Sequence, residues 1–321
     1  MKPTSPSDPS RPKRGWWLAP RWLLARRLTQ AGILGLFLLP ALPGASLGGW
    51  WAKWVETWPG LEGTHILNGN LSASLLLDTV PMTDPYLLLQ GLLTGHLPVW
   101  SGFIGGLIVV GFYALVGGRV YCSWVCPVNP VSDGAAWLRR RLKLDTPKGP
   151  DRSTRYWILG LTLVLALTTG QIAWELVNPV SMTHRGILYG IGGAWLVLLG
   201  VALFDLLASR RGWCGSLCPV GAFYGLMGSK ALVRVVAADR ERCDDCLDCF
   251  AVCPEPQVIK PALKGAARGI GPVILDRDCT NCGRCIDVCE QRVFRFGSRF
   301  AKAAIDLEPE PGVSGSPQPT H

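Results

Sequence analysis

Cys243-Asp244-Asp245-Cys246-Leu247-Asp248-Cys249-Phe250-Ala251-Val252-Cys253-Pro254 is answered further along by Cys279-Thr280-Asn281-Cys282-Gly283-Arg284-Cys285-Ile286-Asp287-Val288-Cys289. In both runs a C-x2-C-x2-C triplet is closed by a fourth cysteine three residues later, the ligand pattern of a pair of [4Fe-4S] clusters. The tight loop wraps three thiolates around one face of a cubane, and the fourth thiolate comes from the other run. That rule assigns Cys243, Cys246, Cys249 and Cys289 to one cluster, and Cys279, Cys282, Cys285 and Cys253 to the other. Zinc ribbons use separated C-x2-C pairs rather than triplets closed by a fourth cysteine. A disulfide framework belongs to oxidising compartments. Glu290 stands where the first run has Pro254; this alters local rigidity but not the ligand count. A chain built around two such clusters handles electrons one at a time.

Outward from the clusters the composition changes. Hydrophobic residues make up 49% of the 321, with 14 tryptophans, which points to a membrane. The uncharged stretches 28–52, 99–118, 156–174 and 186–204 each reach the length of about 20 helical residues that a hydrocarbon core requires. The expected fold class is a polytopic α-helical membrane protein with four transmembrane helices, a two-helix internal repeat, and a C-terminal bacterial ferredoxin-like α+β domain. Residues 1–20 are expected as a disordered cytoplasmic amino terminus and 21–235 as the four-helix membrane domain. The two-cluster domain follows over 236–305, and 306–321 is a disordered tail. Basic residues are retained on the cytoplasmic side. Arg139, Arg140, Arg141 and Lys143 lie between the second and third stretches, whereas 43–97 holds only Lys53 against Glu56, Glu62, Asp78 and Asp84. The expected location is therefore the bacterial inner membrane, multi-pass, with the amino terminus and the cluster domain in the cytoplasm. The net charge of +9 is accounted for by that bias, and no basic, aromatic nucleic-acid surface is evident.

Four cysteines remain. Arg119-Val120-Tyr121-Cys122-Ser123-Trp124-Val125-Cys126-Pro127-Val128 aligns without gaps on Arg211-Gly212-Trp213-Cys214-Gly215-Ser216-Leu217-Cys218-Pro219-Val220. A parallel duplication of this kind brings its two motifs together across a pseudo-two-fold axis. Cys122, Cys126, Cys214 and Cys218 then form an additional thiol or metal site, the i, i+4 spacing setting both sulfurs of a motif on one helix face. Small apolar cysteines packed at helix ends are the plainer alternative.

The two Arg-x-[Tyr/Trp]-Cys-x3-Cys-Pro exits, the four expected spans and the double-cluster tail resemble the NapH family. Further likeness lies in Ile66 to Ser74, in Met82-Thr83-Asp84-Pro85-Tyr86, in Leu92-Leu93-Thr94-Gly95-His96 and in Asn178 to Arg185. The resemblance runs from Trp16 to about Phe300 and sets the chain apart from families with the same cysteine layout, methylamine-utilisation ferredoxins among them. It implies the electron-transfer subunit of a quinol dehydrogenase, which oxidises quinol and supplies a periplasmic nitrate reductase. Its partners would be a NapG-type ferredoxin, a NapC-type cytochrome, or both.

A quinol site needs a slot for the ring and a proton acceptor. His96 and His184 are candidates because a neutral imidazole titrates near neutrality, and Glu175 because an ionisable residue at membrane depth is a functional candidate by default. His65 shares their side of the expected membrane. The expected topology puts these groups across about 30 Å of hydrocarbon from the clusters, too far for one electron hop. No C-x-x-C-H occurs, so the chain supplies no covalent haem site. The alternative function is an iron–sulfur and thiol maturation or assembly factor for a respiratory metalloenzyme.

Overall fold

In the computed structural model the described residues are 21–38, 67–69, 72–76, 79–144, 149–189 and 193–301. The first helix, α1, spans Arg21–Leu38. Three short strands, β1 (Leu67–Gly69), β2 (Ala73–Leu76) and β3 (Val80–Thr83), form an antiparallel sheet in chain order. Asp84 then starts α2 (Pro85–Leu93): its side chain accepts from the Tyr86 N–H, and Pro85 occupies the first helical position, where its missing N–H costs nothing.

The helices α3 (Trp100–Val116), α4 (Val120–Trp124), α5 (Val128–Arg141) and α6 (Thr154–Thr169) follow. After α6 come α7 (Pro179–Tyr189), α8 (Ala194–Leu203) and α9 (Pro219–Met227). Between α8 and α9 the backbone widens into π-type turns at Phe204–Ala208 and Trp213–Leu217. Gly105 lets α3 lie on β3, since a Cβ there would stand 2.9 Å from the Pro81 carbonyl carbon.

The expected four transmembrane helices are not supported. Among the described residues no helix is long and apolar enough to cross a membrane. The sequence reading counted uncharged residues, but an uncharged run need not be one helix. Over 99–118 the helix is 17 residues, halted at Gly117 with φ 130°. Over 156–174 it is 16 residues, halted at Gly170 in the left-handed region. Over 186–204, α8 has 10 residues before the π-type turn that carries Asp205. The 18 residues of α1 include Arg26 and Arg27, and the rest of the first expected span lies outside the described residues. The multi-pass inner-membrane location and the sidedness of clusters and histidines rested on those spans and are corrected with them. The amino terminus, the 306–321 tail and His65 also lie outside the described residues.

The cysteine runs sit on a two-stranded antiparallel ribbon, β4 (Val233–Ala237) against β5 (Phe294–Ser298), with Val233 opposite Ser298 and Ala237 opposite Phe294. The small helices α10 (Asp248–Val252), α11 (Ile259–Lys264) and α12 (Arg284–Val288) cover it. Val235, Ile259, Ile274, Val293 and Phe294 form its core, and Cys249 and Cys285 are part of that same core. Each large aliphatic or aromatic side chain there contributes about 1.5–3 kcal/mol by leaving water. The amino end of α1 docks on this unit: the Asp287 carboxylate accepts from the Trp22 and Leu23 N–H groups at 3.2 and 3.0 Å, a charge at the positive end of the helix dipole. The Trp22 ring meets Phe296 edge-on at 4.7 Å and lies where a Gly283 Cβ would be, so Gly283, at φ 71°, tolerates no side chain.

Candidate electron-transfer site

The two cysteine loops share one backbone device. Asp245 and Leu247 in the first, and Asn281 and Gly283 at the equivalent places in the second, have φ of 58°, 62°, 46° and 71°. Alternating left-handed residues turn successive N–H groups inward, a concavity that suits an anionic cluster. Cys243, Cys246, Cys249 and Cys289 line one cavity. Cys279, Cys282, Cys285 and Cys253 line a second. Each cavity thus draws three sulfurs from one run and the fourth from the other, a donor set that fits a cubane and leaves no open position for a hydrolytic metal.

The surroundings differ in charge. Beside the first cavity are Asp244 and Asp245, both exposed. Burial pushes the Cys249 thiol up to about 12. Arg284 lines the second cavity, and Arg26 and Arg211 act on its thiols from close by. Burial works to raise the Cys282 thiol, but Arg284 and Arg26 outweigh it and hold it below the ordinary thiol range. Positive charge favours the reduced, more negative state of a cluster. The cluster of the Cys279 set is therefore expected to have the higher reduction potential, by on the order of 50–100 mV for one net charge near 10 Å at an effective dielectric of about 20. A redox titration followed by electron paramagnetic resonance reads both values, and coincident potentials would contradict this assignment.

Of the four repeat thiols, two line a shared cavity, Cys122 and Cys214; Cys126 and Cys218 are not among its lining residues. That small polar cavity also takes in Cys282 of the cluster loop, and Ser132 Oγ lies 3.7 Å from Cys214 Sγ. Burial raises all four thiols, Cys218 to about 12; neighbouring sulfurs of the set add to the rise at Cys126, Cys214 and Cys218, whereas at Cys122 the Arg119 guanidinium opposes it. Among the described residues no group of three or more His, Cys, Asp or Glu is placed to hold a single metal ion.

The arginine of each repeat, whose role the sequence left open, ties the helices to a cluster loop. Arg119 donates to Glu255 Oε1 at 2.9 Å and to the Asp278 carbonyl at 2.9 Å. Arg211 pairs with Asp133 at 2.6 Å, and Asp133 also holds Arg284 at 2.6 Å and Arg27. Glu255 further pairs with Arg155 at 3.3 Å and with Arg152. The signal that could have found them was their invariance within the internal repeat; their partners are remote in sequence.

The expected proton acceptors do not come together. His96 is exposed, with Nδ1 3.1 Å from the Thr94 hydroxyl. Glu175 accepts from Asn178 at 3.1 Å and pairs with Arg185 at 3.6 Å. His184 is buried edge-on to Phe37, their ring centres 6.4 Å apart, and burial lowers its basicity. The sequence reading passed over Asp84, Tyr121 and Tyr224, which meet at one cavity.

Two family descriptions match the chain: a 4Fe-4S dicluster domain over residues 235–290, and a 4Fe-4S binding domain over 98–145 and 191–235, each of those segments holding one C-x3-C-P exit. The ferredoxin-type protein NapH of Escherichia coli is 46% identical over 91% of this chain and 94% of its own length. The chain belongs to the NapH family. The Haemophilus influenzae NapH is 45% identical over the same shares. The methylamine utilization ferredoxin-type protein MauN of Paracoccus denitrificans is 48% identical over 90% of this chain and 94% of its own. No solved structure matches. Membership with NapH, together with the cluster-domain match, makes this an iron–sulfur electron-transfer protein. Near-equal identity to NapH and MauN does not fix its acceptor.

Proposed function

We propose that the chain oxidises quinol and passes the electrons through two [4Fe-4S] clusters toward a periplasmic nitrate reductase, by way of a NapG-type ferredoxin or a NapC-type cytochrome. One cluster is held by Cys243, Cys246, Cys249 and Cys289, the other by Cys279, Cys282, Cys285 and Cys253. Residues 236–305 are the cluster domain, and 21–235 the helical domain that receives the donor. The observation that carries this reading is the pair of cavities, each lined by a triplet from one run and the closing cysteine of the other. Bound clusters supply one-electron acceptors; the chain supplies thiolate ligands, inward N–H groups and guanidinium charge. The test mixes anaerobic protein with menadiol and a NapC-type cytochrome. Haem reduction is expected only when all three are present, and an equal rate without this chain would contradict the reading.

The cavity shared by Cys122 and Cys214 favours a second reading, a maturation factor that uses Cys122, Cys126, Cys214 and Cys218 to reduce or carry a metal. It predicts a stoichiometric metal lost when Cys122 and Cys214 become serine, and no reaction with quinol.

A further inference from the structure

We propose that quinol is oxidised in the cavity walled by α1, α3 and α4, with Asp84 taking the hydroxyl protons. The inference rests on the quinol reading above and gives it a place. The cavity has a volume of about 540 Å³, within the roughly 300–1,000 Å³ of small-molecule sites. Its walls are apolar, with Ile33, Val109, Phe112 and Trp124 among them, and among the described residues no Lys, Arg or His lines it. Tyr121 and Tyr224 stack at 4.8 Å with their planes 7° apart, and Tyr113 meets Tyr224 edge-on at 5.2 Å. A flat ring with two hydroxyls matches such a chamber: aromatic surface for the ring, and a carboxylate for a hydroxyl.

Asp84 sits at the cavity edge. Its Oδ1 accepts from the Tyr86 N–H at 2.9 Å and from the Tyr224 hydroxyl at 3.3 Å. The Leu87 N–H is a further donor to the carboxylate. Burial, with a smaller push from Glu175, raises the Asp84 carboxyl to about 6 against the pull of the Tyr86 and Leu87 N–H groups and the Tyr224 hydroxyl. The other titratable groups facing it are the Tyr86, Tyr113, Tyr121 and Tyr224 hydroxyls, all raised by burial and neutral in this range. A carboxylate poised just below neutral pH is matched to general-base work.

The cavity also adjoins the electron acceptors. Tyr121 and Trp124 of α4 line it, while Trp124 Nε1 donates to the Asn281 carbonyl at 3.1 Å and Ser123 Oγ to the Thr280 carbonyl at 2.7 Å. Both acceptors lie between Cys279 and Cys282. One five-residue helix thus joins the cavity wall to the cluster loop, and the wide gap between proton acceptors and clusters expected from sequence does not arise. In the reaction two O–H bonds break and the quinol becomes quinone. The two protons pass in turn to the Asp84 carboxylate and on to water. The two electrons would leave singly, each entering the cluster that Cys279, Cys282, Cys285 and Cys253 would hold and passing on from it to the next acceptor before the second follows.

The test uses the cluster-loaded full chain with menadione as the binding probe and menadiol as the reductant. Val109→Trp fills the cavity, and Asp84→Asn removes the base while keeping a side chain that caps α2 equally well. Val109→Trp is expected to lose menadione binding in equilibrium dialysis. Asp84→Asn is expected to keep it, to slow menadiol reduction of the clusters roughly 10²-fold or more, and to abolish the limb of the pH–rate profile that rises through about 6. Both variants should still be reduced by dithionite. Wild-type binding in Val109→Trp, or a wild-type rate and profile in Asp84→Asn, would overturn the site and leave quinol oxidation standing. A wild-type chain reduced by dithionite but never by menadiol would overturn both.

Discussion

Serine in place of Cys289 is expected to remove the cluster of the first cysteine run, not that of the run in which Cys289 lies. Cys289 lines the cavity of Cys243, Cys246 and Cys249, so its loss leaves that cubane with three thiolates and a weak alcohol. Cys253→Ser should do the converse and remove the cluster of Cys279, Cys282 and Cys285. In each variant iron falls from about eight to about four atoms per chain, and one of two resonance signals disappears. Because the two potentials are expected to differ, the surviving signal identifies the cluster that remains. If Cys289→Ser lost the higher-potential cluster, the crossed ligand sets would be wrong.

Glu255→Gln is expected to cost about 3–5 kcal/mol, the range for removing one partner of a buried ion pair. The Glu255 side chain is 2% exposed and engages Arg119 and Arg155, themselves 2% and 1% exposed, together with Arg152. A neutral amide leaves guanidinium groups buried with too little negative charge between them. The site lies directly after Cys253-Pro254, so the loss falls where the helices hold the cluster loop. Urea unfolding followed by tryptophan fluorescence and by cluster absorbance reads the effect at both places. Glu175→Gln is the control: its partner Arg185 is 65% exposed and 3.6 Å away, and such a pair contributes under about 1 kcal/mol. Equal shifts in the two variants would show that the Glu255 network does not hold the halves together.

The grouping of the eight cysteines around two cavities was legible in the sequence because a cubane fixes the spacing of its thiolates and that spacing is local. So was the convergence of Cys122 and Cys214, since a gapless repeat carries its own symmetry. The helices were misjudged because hydropathy counts residues and not backbone: Gly117 and Gly170 end their helices at positive φ, and α8 gives way at Asp205. Asp84 was passed over for a different reason. Alone it reads as the cap before Pro85; its other surroundings come from Tyr224 on α9 and Tyr113 on α3, which no local pattern joins to it. The histidines stood out by chemical type, and type says nothing of placement, as the exposed His96 shows.

The most direct test of electron transfer from quinol through the crossed clusters is low-temperature electron paramagnetic resonance of the anaerobic chain, reduced by menadiol and, in parallel, by dithionite. The account predicts that menadiol develops the signal lost in Cys253→Ser, and that dithionite develops both. Two signals with dithionite and none with menadiol would contradict it.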